Sequence, residues 1–176
     1  MSYISKTLFI FFFCFYFLDS SFAHGPSRQK VSESIQINST PENVWKVVRN
    51  FKNFTWNKNI KNIKADNADI GSERVINFKT GESIKQKLEK IDEKKMMISW
   101  RIIETDNKVL PVNSYSAKIF VKSSGDHTIV NYKSGFYRGF MGNDPPDELN
   151  DENSKKKVKN FILDNLNGLK EIIEKN

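Results

Sequence analysis

Apolar and polar positions divide the chain into segments of clearly different texture. Leu8 to Leu18, "LFIFFFCFYFL", is an unbroken apolar run of eleven residues behind Lys6, and it turns polar at Asp19-Ser20-Ser21. As a helix it would measure about 16 Å, short of the roughly 20 residues a bilayer demands. A basic start, a short apolar core and small residues at Ser21 and Ala23 describe a secretion signal cut after Ala23. Cys14 lies inside the apolar run with no lipobox before it. An uncleaved anchor is the rival reading. Removal of residues 1–23 leaves 24–176, one domain with room for a real core.

Beyond the leader, "KVSESIQIN" places Val31, Ile35 and Ile37 among polar neighbours, the step of a strand with one wet face. "STPENVWKVVRNF" then changes period. Thr40 can cap a helix whose first residue is Pro41, and Val44, Val47, Val48 and Phe51 recur at helical spacing beside Trp45. "NFTWNKN" reads as a second short helix or a tight turn. From Ile60 to Tyr137 the texture is strand and turn: "IKNIKA", "RVINFKT", "SIKQKLEKI", "KMMISWRIIE", "SYSAKIFV" and "HTIVNYKSGFY", separated by stretches such as "TGE", "DEK" and "SSGD". Short connections between consecutive strands imply an antiparallel meander. From Ser154, Val158, Phe161, Ile162, Leu166, Leu169, Ile172 and Ile173 form one apolar stripe along a helix, with Asp151 and Glu152 ahead of it where the dipole favours negative charge. The predicted order is strand, two short helices, six strands and one long helix. A helix with one apolar face requires a surface, and a sheet of six or seven antiparallel strands with one apolar face supplies it.

Strand alternation selects the residues that face this helix. Met96, Ile98, Trp100 and Ile102 share one face of their strand, and the Trp100 face is taken as inward. Tyr115, Ala117, Ile119, Val121, Val130, Tyr132, Ile76, Phe78, Ile84, Gln86 and Leu88 join it. An inward Gln86 must find hydrogen-bond partners, which a ligand or water could supply. Candidate pocket residues are therefore Trp56, Phe78, Gln86, Trp100, Tyr115, Tyr132, Phe161 and Leu166. Simple packing in a filled core is the alternative for each of them. Between the last strand and the long helix runs "GFYRGFMGNDPPDELN", longer than a connection requires. Its Tyr137, Arg138, Phe140, Met141, Asn143, Asp144, Pro145 and Pro146 read as a rim over one end of a cavity or as a docking surface.

The order of elements resembles the helix-grip fold of the START-like (SRPBCC) superfamily, with its polyketide cyclase/dehydrase and lipid-transport group. Two stretches are similar to a narrower branch, the periplasmic MxaD-like proteins associated with bacterial methanol oxidation. They are "AHGPSRQKV" at the mature start and Tyr137-Arg138-Gly139 followed by Asn143-Asp144-Pro145-Pro146. The resemblance implies an α+β fold in which a curved antiparallel sheet of about seven strands wraps around a long C-terminal helix, with two short helices after the first strand. It implies a cavity for an apolar or amphipathic small molecule. The branch implies an accessory role beside an exported methanol dehydrogenase and its cytochrome acceptor. At Trp56-Asn57-Lys58 the chain departs from relatives that carry Trp-His-Pro or Trp-x-Pro. An imidazole role at that place is not carried over.

Composition changes this picture little. Lys6 and Asp19 cancel, so the mature chain keeps the net charge of +7. That balance suits an anionic partner or surface, or merely reflects a Lys- and Asn-rich proteome. Nucleic acid is a poor fit for an exported chain with no basic motif of recognised spacing. Cleavage would remove the single cysteine, so stability would rest on packing, as suits a bacterial periplasm. No cofactor is implied, and no catalytic constellation is recognisable. The histidines are His24, terminal after cleavage, and His127 in "SSGDHT", with no Ser/His/Asp set around it. A terminal amine and imidazole at His24 would form a weak candidate for Cu(II), although Pro26 removes a backbone N–H that could have assisted. The functional expectation is a binding or accessory protein. The alternatives are a carrier of a lipid-like molecule and a cyclase/dehydratase-type enzyme.

Overall fold

The computed structural model describes residues 25–54 and 56–175. The expected secretion signal, Cys14 and His24 lie outside them.

Seven strands form one antiparallel sheet. They are β1 (Gln29–Ile37), β2 (Ile60–Ala65), β3 (Glu73–Phe78), β4 (Ser83–Asp92), β5 (Met97–Thr105), β6 (Val112–Ser124) and β7 (His127–Arg138). Helix α1 (Pro41–Val48) follows β1, and helix α2 (Asp151–Glu174) ends the chain. The strand order is β1-β7-β6-β5-β4-β3-β2, so strands two to seven run as a meander and the first strand pairs with the last. Register breaks in β2, β4 and β6 mark bulges, which bend a strand and increase its twist. Ser114, at φ 47°, lies within the break in β6. Seven strands, one face and one long helix make the expected helix-grip architecture. No helix among the described residues is long and apolar enough to cross a membrane.

Helix α1 begins as its sequence predicts. Thr40 Oγ1 accepts a hydrogen bond from Asn43 N, Pro41 opens α1, and Val44, Trp45 and Val48 are buried. Glu93, in the β4–β5 turn, anchors α1 by accepting from Trp45 Nε1 at 2.7 Å and pairing with Arg49 at 2.6 Å. Of the two short helices expected after β1, the first forms. The second stretch forms no helix: residues 51–52 and 56–59 make turns and a bend, and residues 53–54 are irregular. Asn50 starts it by accepting from Lys52 N with its own side chain, the local bonding that makes Asn favour turns over helix. Helix α2 starts one turn before Ser154, because Asn150 caps it by accepting from Asn153 N at 2.8 Å, and Asp151 and Glu152 fall in its first turn. Val158, Phe161, Ile162, Leu166 and Leu169 are buried as the stripe requires, whereas Ile172 is exposed.

The core lies between α2, the turns after α1 and the concave face of the sheet. Ile76, Phe78, Ile84, Leu88, Ile98, Trp100, Tyr115, Ala117, Ile119, Val121, Val130 and Tyr132 are all buried in it, in agreement with the alternation. Met96 and Ile102 are only partly buried, at the two ends of the β5 face. Met97 and Ser99, on the opposite face of β5, are buried as well, so this strand is covered on both sides at its start.

Candidate functional site

Two features of the concave side carry chemistry: an open cleft beside α2 and a closed polar cluster deeper in the fold. The cleft has a volume of about 370 Å³. The β3–β4 turn contributes Phe78, Lys79, Thr80 and Glu82, and the β5–β6 loop contributes Lys108 and Val109. The remaining wall is Lys157, Asn160, Phe161 and Asp164 of α2, with Asn57 and Asn59 of the turn segment. Phe78 and Phe161 meet with ring centroids 6.3 Å apart and form its apolar floor. A neighbouring hollow of about 300 Å³ shares Asn57, Asn59 and Asp164 and continues to Gly168 and Glu171.

The turn segment is fastened tightly to α2 beside this cleft. Buried Asn57 donates through Nδ2 to Asn165 Oδ1 at 3.2 Å, and its own Oδ1 accepts from Asn59 N at 2.9 Å. Asn165 in turn donates to Phe161 O. Asn57 thus serves to join two elements. Gly168 permits the approach, since a Cβ there would stand 1.8 Å from the Trp56 carbonyl oxygen. Trp56 packs on Phe54, and Phe54 packs on Trp100.

Arg74 lies at the centre of the polar cluster and is 2% exposed. Its Nε and Nη2 donate to Gln86 Oε1 at 2.8 and 2.6 Å, and its Nη1 donates to Phe51 O at 2.8 Å. The guanidinium lies 4.1 Å from the Phe51 ring centroid and 4.3 Å from that of Phe54, with Trp100 at 5.4 Å. Burial pulls its pKa down to about 9, so it remains a cation at neutral pH. Gln86 Nε2 and Trp100 Nε1, on two side chains that touch the guanidinium, are buried with no hydrogen-bond partner among the described residues. Tyr132 packs edge-on against Trp100, and its hydroxyl shares a 3.3 Å hydrogen bond with that of Tyr115. Burial pushes Tyr115 up to about 12 and Tyr132 well above the usual phenol range.

Sequence-selected pocket residues therefore separate. Phe78 and Phe161 line the cleft; Gln86, Trp100, Tyr115 and Tyr132 join the polar cluster; Trp56 and Leu166 are buried where the turn segment meets α2. Arg74 was not among them, although the two-residue step that places Ile76 and Phe78 inward extends to it. Lys79, Lys108 and Lys157 at the cleft were likewise not selected, because three distant segments bring them together.

The long loop after β7 is organised by Arg138. Its guanidinium donates to Phe140 O at 2.8 Å, to Gly142 O at 2.7 Å and to Asp151 Oδ2 at 2.9 Å, at the start of α2. Asn113 Nδ2 donates to the carbonyls of Arg138 and Gly139. Tyr137 and Pro145 are half-buried, whereas Asn143, Asp144 and Pro146 are exposed. Phe140 and Met141 stand 38% and 49% exposed. None of these loop residues lines the cleft. His127 opens β7, half-buried, with Nδ1 enclosed and unpartnered among the described residues. No group of three or more His, Cys, Asp or Glu among the described residues could hold a metal ion.

The profile of the family described as polyketide cyclase / dehydrase and lipid transport matches residues 28–174. No curated protein matches the chain. Among solved structures, an uncharacterised protein from Bacillus thuringiensis superposes with a TM-score of 0.69 at 22% identity, over 82% of this chain and 98% of that one. Protein XoxI from Bacillus cereus gives 0.69 at 22% identity, over 82% and 94%. Norcoclaurine synthase of Thalictrum flavum, in complex with a transition-state analogue, gives 0.63 at 12% identity, over 85% and 96%. At these identities the likeness is one of fold.

Proposed function

Because the chain belongs to the polyketide cyclase/dehydrase and lipid transport family, we propose that it binds a hydrophobic small molecule between α2 and the sheet and acts as a carrier or accessory protein. The cleft floored by Phe78 and Phe161 carries this reading. Its 370 Å³ lies in the range of small-molecule sites, and Phe78, Val109 and Phe161 give it an apolar floor under a rim that is otherwise polar and charged. The ligand's apolar part rests on the two rings and on Val109. A neutral, environment-sensitive dye such as Nile red tests this directly. Saturable binding by the intact protein is expected, and Phe161→Glu, which places a charge on the floor, weakens it by about tenfold or more while circular dichroism stays unchanged. Absence of binding, or equal binding by the variant, would sink the proposal.

We also propose a second, compatible reading, which rests on the resemblance of the expected mature start and of the loop after β7 to a periplasmic branch: an exported accessory protein of methanol oxidation, released after Ala23, that docks on a periplasmic dehydrogenase or its cytochrome. Arg138 holds that loop so that Phe140 and Met141 face outward together, and exposed apolar pairs suit protein recognition. A chain with net charge +7 would be steered to an acidic partner. Association should then weaken as ionic strength rises, and Phe140→Ser should lower affinity at every salt concentration. A salt-independent affinity would remove the steering argument.

A further inference from the structure

We propose that the molecule bound by this fold carries an anionic head, a carboxylate, and that Arg74 with Gln86 Nε2 and Trp100 Nε1 forms its receptor. The inference rests on the hydrophobic-ligand reading and specifies the chemistry of that ligand. Arg74 is a buried cation without a carboxylate partner among the described residues; the ionisable neighbour that acts on it is the phenol of Tyr132. Buried charges are normally paired, because leaving water is costly. The aromatic rings of Phe51 and Phe54 cover the guanidinium and attract it, but they do not accept its edge N–H bonds. Gln86 Oε1 takes two of those bonds and Phe51 O a third, which leaves each terminal nitrogen a further N–H without an acceptor.

The groups around this cation repeat the same deficit. Gln86 turns its oxygen to Arg74, so its amide nitrogen is committed as a donor, and that nitrogen has no acceptor. Trp100 adds an indole N–H, again without one. Three neighbouring side chains thus offer donors and a positive charge, and two of those donors, Gln86 Nε2 and Trp100 Nε1, find no acceptor among the described residues. A carboxylate supplies two acceptor oxygens and one negative charge, and it suits the planar geometry of a guanidinium. A neutral alcohol would satisfy at most part of the set. Arg74, Ile76 and Phe78 lie on one face of β3, so the receptor is about 13 Å along the strand from the cleft floor. A head-inward ligand would leave its apolar tail at Phe78 and Phe161. The segment covering Arg74 is built of turns, and turn segments open at less cost than strands.

The experiment compares dodecanoate, dodecanol and acetate by calorimetry on the intact protein, on Arg74→Met and on Gln86→Glu. The wild type should bind dodecanoate at least about tenfold more tightly than dodecanol, and acetate more weakly than either. Arg74→Met should keep dodecanol binding and lose the preference for the acid. Gln86→Glu places a carboxylate of the protein's own against Arg74, so it should also lose that preference while its melting temperature rises. That second variant keeps the test open should Arg74→Met fold poorly. Equal binding of acid and alcohol by the wild type would overturn the inference and leave hydrophobic binding standing. Acetate binding as tightly as dodecanoate would overturn the assignment to an amphipathic ligand. Binding of neither chain would overturn this inference together with the proposed function.

Discussion

At the scale of single residues, the interior gives two opposite responses to alkali. Tyr115 and Tyr132 stay protonated when folded, with Tyr115 held up to about 12 by burial, whereas an unfolded phenol ionises near 10.0. The stability they contribute is fully present below the unfolded value and is lost as pH rises from about 10 toward 12. Arg74 acts in the reverse sense, since its folded value of about 9 lies well below the ordinary guanidinium range and its burial becomes less costly as pH rises beyond it. Comparing variants isolates the phenols. In urea titrations between pH 9 and pH 12, Tyr132→Phe should show a shallower loss of stability than the wild type, and the two should run parallel below pH 9. Identical slopes throughout would show that burial of this phenol does not differ between states. The tyrosines were legible in the sequence because they alternate with Ala117, Ile119 and Val130, and alternation is a local property. Arg74 obeys the same parity with Ile76 and Phe78, yet its charge argues for the wet face. What turns it inward is the carbonyl of Phe51 and the amide of Gln86, neither adjacent in sequence.

Single elements owe their placement to contacts that cross the whole sequence. Gly168 interrupts the apolar stripe of α2, and the helix interior ordinarily disfavours glycine. Its reason is the Trp56 carbonyl, 1.8 Å from where a Cβ would stand. Gly168→Ala should therefore destabilise by about 1–3 kcal/mol despite better helix propensity, since a backbone atom must give way. A lower urea midpoint, with a changed tryptophan emission from Trp56, is the expected result; an unchanged or raised midpoint would show that the turn segment yields freely. Arg138 plays the corresponding part at the other end of α2. Arg138→Ala would leave the Phe140 and Gly142 carbonyls without their donor and Asp151 without its partner, a loss of about 1–3 kcal/mol. Limited proteolysis should then cut between Gly139 and Asn150 in the variant and not in the wild type. The sequence marks both places, a glycine in a stripe and an arginine before a long loop. Neither Trp56 nor the Phe140 and Gly142 carbonyls could be named as their partners, because sequence patterns report periodicity and not which distant segments meet. For the same reason the stretch Asn53–Asn59 was open between helix and turn: five of its seven positions are aromatic or asparagine, and only the bonds to α2 and, just before it, from Arg74 to Phe51 decide the outcome.

In the whole molecule, the meander was legible because its connections are short, whereas the position of β1 beside β7 is a long-range pairing that no local pattern announces. That pairing makes the two edges of the sheet unequal. β1 carries α2 along it: Lys170 Nζ donates to Gln36 O, Glu174 accepts from Asn38 N, and Lys159 reaches Glu33. β2 pairs with β3 through a register break, and Ile60 is its one buried residue. An edge strand with little buried surface can detach without exposing the core, whereas β1 can detach only by releasing α2 as well. Amide hydrogen exchange should therefore show β2 exchanging through a local opening, with protection about tenfold or more below that of β1, whose slowest amides should follow global unfolding. Denaturant separates the two routes, since local opening exposes little surface and responds weakly to urea. Equal protection and equal urea dependence at both edges would mean that the sheet opens only as a unit. The cleft lies on the β2–β3 side, through Phe78 and Lys79, so a weaker edge there is also the side on which the space beside α2 can widen for a ligand without loosening the grip of β1.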